Sequence, residues 1–217
     1  MSEGVKTETP VRRGARQAAR TEAQIIGAAT RLFVERGYTQ TTIEDIAASA
    51  DVGARTVYAR FGSKAALFKR VVDVAVVGDT ERVDVLGRDW MRETLSAPTA
   101  AERIAALASA NRQIMERSGA LFAVAQQAAA VEPLIAGYWQ QAREQQRYGQ
   151  RVVWTRMAED GLLPSSVDLD WAIDSASLLG AAETYLLASR MMGWSLDVYE
   201  AWLSQTMSRL ATSEVRS

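Results

Sequence analysis

The chain has no cysteine and no histidine. The first absence excludes disulfides, thiolate nucleophiles and cysteine-held metals. The second removes the commonest metal ligand and the side chain best suited to proton transfer near neutrality. Both absences weaken every enzyme hypothesis, and the expectation is a protein that is not an enzyme and needs no metal or cofactor. Long apolar runs are also missing. The longest stretch without charge, Ser118–Val131, is too short to span a bilayer and contains Gln126 and Gln127. A polar N-terminus shows no export signal, so no membrane partner and a cytoplasmic location are expected.

What is present is a chain of 217 residues, 48% hydrophobic, long enough to bury a real core in one or two domains. Its net charge of −1 conceals an asymmetry. Residues 1–72 carry 12 Lys/Arg against 7 Asp/Glu, and residues 73–217 carry 13 against 19. A basic end on an acidic body is what a duplex-binding head requires, because a phosphate backbone rewards clustered cations.

The periodicity is helical throughout, and the fold class is all-α: a small N-terminal three-helix unit followed by a larger helical body. Residues 1–19 lack an apolar face and hold Arg12, Arg13 and Arg16, with Arg20 just beyond. They read as a disordered basic tail. Thr21 with Gln24 suggests a capping box, after which Ile25, Ile26, Ala29, Leu32 and Phe33 repeat at helical spacing until Gly37. Thr41 or Thr42 caps a second helix with the stripe Ile43, Ile46, Ala47 and Ala50; Asp51-Val52-Gly53 is a turn; a third helix spans roughly Ala54–Phe61. Gly62 and Ser63 punctuate the start of a fourth. The domain boundaries expected are 1–19, 20–70 and 71–217. Within the body, helices are expected at about 100–118, 119–130, 134–160, 168–192 and 195–211.

The third helix buries only Val57 and Phe61, which leaves Arg55, Thr56, Tyr58 and Arg60 facing outward with Lys64 nearby. Two short helices joined by a tight turn make a helix-turn-helix, and an outer face of this composition suits the major groove of double-stranded DNA. Arg60 has the fork to bond guanine or phosphate, Thr56 and Tyr58 suit phosphate or a thymine methyl, and Lys64 suits phosphate. The same polar cluster is also compatible with an ordinary solvated face. Arg12, Arg13, Arg16 and Arg20 form a stretch without acids that suits either a DNA-tracking arm or a solvated tail.

The run Thr41-Thr42…Ile46-Ala47…Val52…Thr56-Val57-Tyr58-x-x-Phe61-x-Ser63-Lys64-x-x-Leu67 resembles the N-terminal domain of the tetracycline-repressor (TetR) family of bacterial regulators. "GWSLDVYEAWLSQTMSRL" (193–210) and "RDWMRE" (88–93) are similar to one subgroup of it. The resemblance implies an all-α homodimer that binds an inverted-repeat operator and is released by a small-molecule effector. Carried over by position, it implies DNA contacts from Thr42, Ala54, Arg55, Thr56, Tyr58, Arg60 and Lys64. Three positions depart from the family pattern. Gly53 stands where a capping Ser is usual, Asp51 where a turn glycine is usual, and Arg60 where His is frequent. Asp51 is compatible with a left-handed turn, whereas Gly53 gives the third helix a weaker cap.

All six tryptophans lie at or after Trp90. Most are expected in core or interface. Trp139 and Trp154, with Phe122, Gln126 and Met157, are candidates for a ligand-pocket wall, because their segments surround the ligand in the family. Glu183, in an otherwise apolar segment, is either a partnered dimer residue or a counter-charge for a cationic ligand. Glu159-Asp160 and Asp168/Asp170 flank expected helix ends, where carboxylates serve the helix dipole. The stripes containing Leu178, Leu179, Ala182, Leu186, Leu203, Met207 and Leu210 exceed what two helices can cover and are expected to pair with a twin. Two function classes follow: a ligand-released DNA-binding regulator, or a helical small-molecule binding protein with a vestigial helix-turn-helix.

Overall fold

The computed structural model of the chain describes residues 10–78 and 88–212. Among them are α1 (Pro10–Gln40), α2 (Ile43–Ser49), α3 (Ala54–Phe61), α4 (Lys64–Val77), α5 (Asp89–Ser96), α6 (Ala100–Ala128), α7 (Pro133–Glu159), α8 (Leu169–Leu179), α9 (Ala182–Met192) and α10 (Leu196–Leu210). None of these helices is long and apolar enough to cross a membrane. The chain divides into two compact units, Met1–Val71 and Val72–Ser217.

The tail expected at 1–19 lies outside the described residues up to Thr9 and is helix from Pro10 onward. Proline suits a first helical position, and the Arg, Ala and Gln residues that follow are strong helix formers, so an apolar face is not needed to begin α1. Thr21 therefore lies inside the helix and does not cap it. The expected stop at Gly37 is real: its φ of 78° and ψ of 171° break the helical path. Ile25, Ala29 and Phe33 of α1 are fully buried with Ile46, Val57 and Leu67 from the next three helices. Phe33, Tyr38 and Phe68 close the core, Phe68 meeting both other rings edge-on at 4.9 and 5.5 Å.

In the larger unit α10 packs along α6, α7 lies against α8, and α5 rests on α6 and α7. Two expected boundaries moved. α6 runs without interruption through Gly119, where a break was expected, because Gly119 is where α6 meets a ring: a Cβ there would come within 2.8 Å of Tyr185 Cε1. Conversely, the single helix expected over 168–192 is divided after Leu179, and Asn111 of α6 donates to the carbonyl of Gly180 at 2.8 Å. Two of the acids at the expected helix ends, Asp160 and Asp168, have defined partners. Asp168 caps α8 by accepting from the Trp171 amide, and Asp160 accepts from Arg103 at 2.6 Å and from Arg156 at 3.1 Å. Arg143, Arg147 and Arg151, one helical turn apart on α7, pair with Glu183, Asp174 and Asp170.

Four of the residues expected at a twin interface belong to the protomer's own core. Leu203, Met207 and Leu210 are buried because α10 turns its apolar stripe onto α6, and Leu186 is buried on α9, which also packs against α6. Leu179 and Ala182 are half-buried, and Leu178 is 72% exposed. On α9, Leu187, Met191 and Met192 are also exposed.

Candidate nucleic-acid interface

Local chemistry sets the second and third helices. Thr42 begins α2 with a capping box: its hydroxyl accepts from the Asp45 amide at 3.1 Å, while the Asp45 carboxylate accepts from the Thr42 amide at 3.2 Å and from its hydroxyl at 2.7 Å. The Thr42 hydroxyl bond, then its backbone bond, hold the Asp45 carboxyl below the usual aspartate range. The turn closes with Asp51 in the left-handed region at φ 54° and the Val52 amide donating to Ala47 at 3.0 Å. Gly53 then starts α3 at φ −74° and ψ 143° with no side-chain cap, as the sequence suggested.

α3 buries Val57 completely and presents Arg55, Thr56, Tyr58, Ala59 and Arg60 to solvent. Arg55 and Thr56 lie one turn before Ala59 and Arg60, and these four line a shallow recess on that face. Ala54 is half-buried at the helix start, and Thr42 is exposed with its hydroxyl committed to the capping box.

Two of the expected contact residues are engaged inside the domain. Lys64 Nζ donates to the carbonyls of Tyr38 and Thr41, each at 3.0 Å, and lies 4.3 Å from the centre of the Tyr38 ring. Arg60 Nη2 donates to the Ala18 carbonyl at 2.6 Å, and its Nε approaches the Glu22 carboxylate at 3.4 Å. The other oxygen of Glu22 accepts from Arg70 Nε at 3.2 Å and Nη2 at 3.1 Å. Glu22 thus joins α1, α3 and α4, and sequence reasoning passed over it. The signal available was its isolation, since it is the one acid between Glu8 and Glu35 in a basic stretch.

None of the residues expected to wall a ligand pocket lines the cleft of the larger unit. Phe122 and Trp139 pack edge-on at 5.8 Å, Trp154 and Met157 are fully buried, and Gln126 is exposed. The larger unit has a cleft of ≈ 330 Å³ elsewhere, lined in part by Val76, Val77, Trp90, Glu93, Gln113 and Arg117. Arg117 reaches from α6 to the end of α4, donating to Ala75 at 3.0 Å and Val76 at 2.9 Å. Glu183, left open between two roles, pairs with Arg143 at 2.6 Å.

Residues 25–71 match the model of the bacterial regulatory proteins of the tetR family. The HTH-type transcriptional regulator TtgR of Pseudomonas putida is 44% identical over 63 residues, which are 29% of this chain and 30% of TtgR. The chain thus matches under a third of that relative's length. Solved structures share the fold over most of the chain. NalD of Pseudomonas aeruginosa, the secondary repressor of the MexAB-OprM multidrug efflux pump, superposes with a TM-score of 0.66 at 16% identity, covering 91% of this chain and 99% of NalD. A TetR transcription regulator from Haloarcula marismortui gives 0.66 at 16% identity over 89% and 97% of the two chains. Salmonella enterica GusR gives 0.64 at 20% identity over 88% and 95%. The helix-turn-helix built on Thr42, Asp51 and Val57 falls within residues 25–71, the stretch that matches the bacterial regulatory proteins of the tetR family, and the body that follows shares the fold of the solved structures.

Proposed function

We propose that the protein is a homodimeric transcriptional repressor that holds an inverted-repeat operator through α3 and releases it when a small molecule occupies the larger unit. The observation that carries this reading is the outer face of α3. Arg55, Thr56 and Tyr58 are exposed on a helix whose inward face is Val57 and Phe61, next to a second helix closed by the Thr42–Asp45 capping box. In a groove, Arg55 supplies a bidentate donor to guanine or phosphate, and Thr56 and Tyr58 supply hydroxyls. Exposed Leu178, Leu187 and Met191 support pairing with a second copy, which would present two such helices to two half-sites.

The cleft beside Val76 and Val77 supports an effector route. Arg117 lines it and also ties off the last carbonyls of α4, whose first turn carries Lys64. A ligand that draws Arg117 away would loosen the end of the same helix that anchors Tyr38 and Thr41. The coupling expected is about 1–3 kcal/mol, and operator DNA must weaken the effector by the same factor.

The test is selection of fragments from bacterial genomic DNA with purified protein, followed by anisotropy titration of the enriched sequence. Enrichment of an inverted repeat, with affinity falling steeply in salt and Arg55→Ala costing about 1–3 kcal/mol, supports the reading. Absence of any salt-dependent duplex binding would leave a small-molecule binding protein with a vestigial helix-turn-helix.

A further inference from the structure

Arg60 occupies the position where a free guanidinium would be most available to DNA, at the end of an exposed helix and on the rim of the Arg55–Thr56–Ala59 recess. Its side chain is only 27% exposed, because it folds back onto α1. There it spans one helical turn, meeting the carbonyl of Ala18 and the carboxylate of Glu22. Glu22 does not hold Arg60 unaided. Two nitrogens of Arg70 bond its other oxygen and fix the carboxylate between α3 and α4. The three side chains are 22–27% exposed, which is sheltered enough to favour the paired state and open enough for Arg60 to leave.

We propose that Glu22 is a positioning residue that suppresses sequence-independent DNA binding by clipping Arg60 to α1, so that readout falls to Arg55, Thr56 and Tyr58. The inference rests on the DNA-binding reading above. A guanidinium released at this place would find phosphate on any sequence, because the backbone charge does not depend on the bases. Each phosphate neutralised by a freed arginine adds about 0.9 to the steepness of log affinity against log salt. The clip therefore withholds affinity that carries no sequence information.

The experiment measures binding of the full chain to a labelled random-sequence duplex over a series of salt concentrations. Wild type, Glu22→Gln, Arg60→Gln, the double variant and Glu35→Gln are compared. Glu35 lies exposed on the same helix and controls for the loss of one negative charge. The expected result is tighter binding by Glu22→Gln with a slope steeper by about 0.9, return of the double variant to the wild-type slope, and no change of slope in Arg60→Gln or Glu35→Gln. A merely structural Glu22 would lower the melting temperature without steepening any slope. The proposal is overturned by an unchanged slope in Glu22→Gln, by equal steepening in Glu35→Gln, or by a shallower slope in Arg60→Gln, which would make Arg60 a phosphate contact already. If Glu22→Gln does not fold, Glu22→Asp retains the charge but draws it back from Arg60, and the same steepening is required of it. Lack of salt-dependent binding by wild type would instead overturn the DNA-binding reading itself.

Discussion

Lys64 Nζ lies 3.0 Å from the carbonyl oxygen of Tyr38 and 4.3 Å from the centre of the same residue's ring, so one side chain both closes the end of α1 and covers an aromatic face. Hydrogen bonds to charged groups contribute about 1.5–3 kcal/mol each, net of the exchange with water. Lys64→Met keeps the length and loses the donors. It should destabilise the N-terminal unit by about 1–3 kcal/mol in denaturant titration and weaken operator binding through loss of folded protein. The salt slope of the folded fraction should not change. A shallower slope with unchanged stability would return Lys64 to the role of phosphate contact.

Gly53 begins α3 without a side-chain cap, and its backbone at φ −74° suits any residue. A Cβ there meets nothing closer than Thr56 Oγ1 at 3.9 Å. Gly53→Ser should therefore stabilise the unit by about 0.5–1 kcal/mol, from a new cap and a less mobile unfolded chain. A lower midpoint in urea would show that glycine is retained there for close approach to something else.

These two positions show what could be read in advance and what could not. The Thr42–Asp45 box, the left-handed Asp51 and the uncapped Gly53 depend on residues within a few positions of each other, and local sequence specifies them. The bonds that engage Lys64 and Arg60 inside the domain could not be read in advance, because their acceptors, the carbonyls of Tyr38, Thr41 and Ala18, are backbone atoms that every residue has. No composition marks such an acceptor. The body fared similarly. The stripe of Leu203, Met207 and Leu210 was legible as apolar, yet periodicity does not say whether α6 or a twin covers it.

The pairing proposed above uses exposed residues of α8 and α9. Leu178→Arg combined with Leu187→Arg should yield a folded protein of half the mass by light scattering, since both side chains are exposed in the protomer. Leu203→Ala should instead cost about 2–5 kcal/mol of folding stability by opening a cavity beneath α10. A dimer that survives the double arginine variant would place the pairing surface elsewhere.

The larger unit should lose stability in acid. The bond from Arg103, itself 5% exposed, is the main cause that holds the Asp160 carboxyl below the usual aspartate range, with Arg156 adding to it. A carboxyl depressed in the folded state contributes stability that is complete above its ordinary value near 3.9 and is lost as pH falls through the folded value. Melting temperatures taken from about pH 5 downward should fall as Asp160 takes up a proton and leaves the Arg103 guanidinium poorly matched. Asp160→Asn should begin lower and fall less over the same range. Parallel curves for the two proteins would remove Asp160 from the acid response.

Glycine within a long helix is a loss of about 1 kcal/mol relative to alanine, and at Gly119 that loss has a definite origin 66 residues along the chain, in the ring of Tyr185. The two positions are in effect one choice. While Tyr185 is present, any side chain at 119 has to displace its ring. Once the ring is replaced by a smaller side chain, alanine at 119 becomes the better helix former and fills the space that the ring vacates. Substitutions at the two sites should therefore not be additive, because each changes the space that the other sees, and this one contact couples α6 to α9.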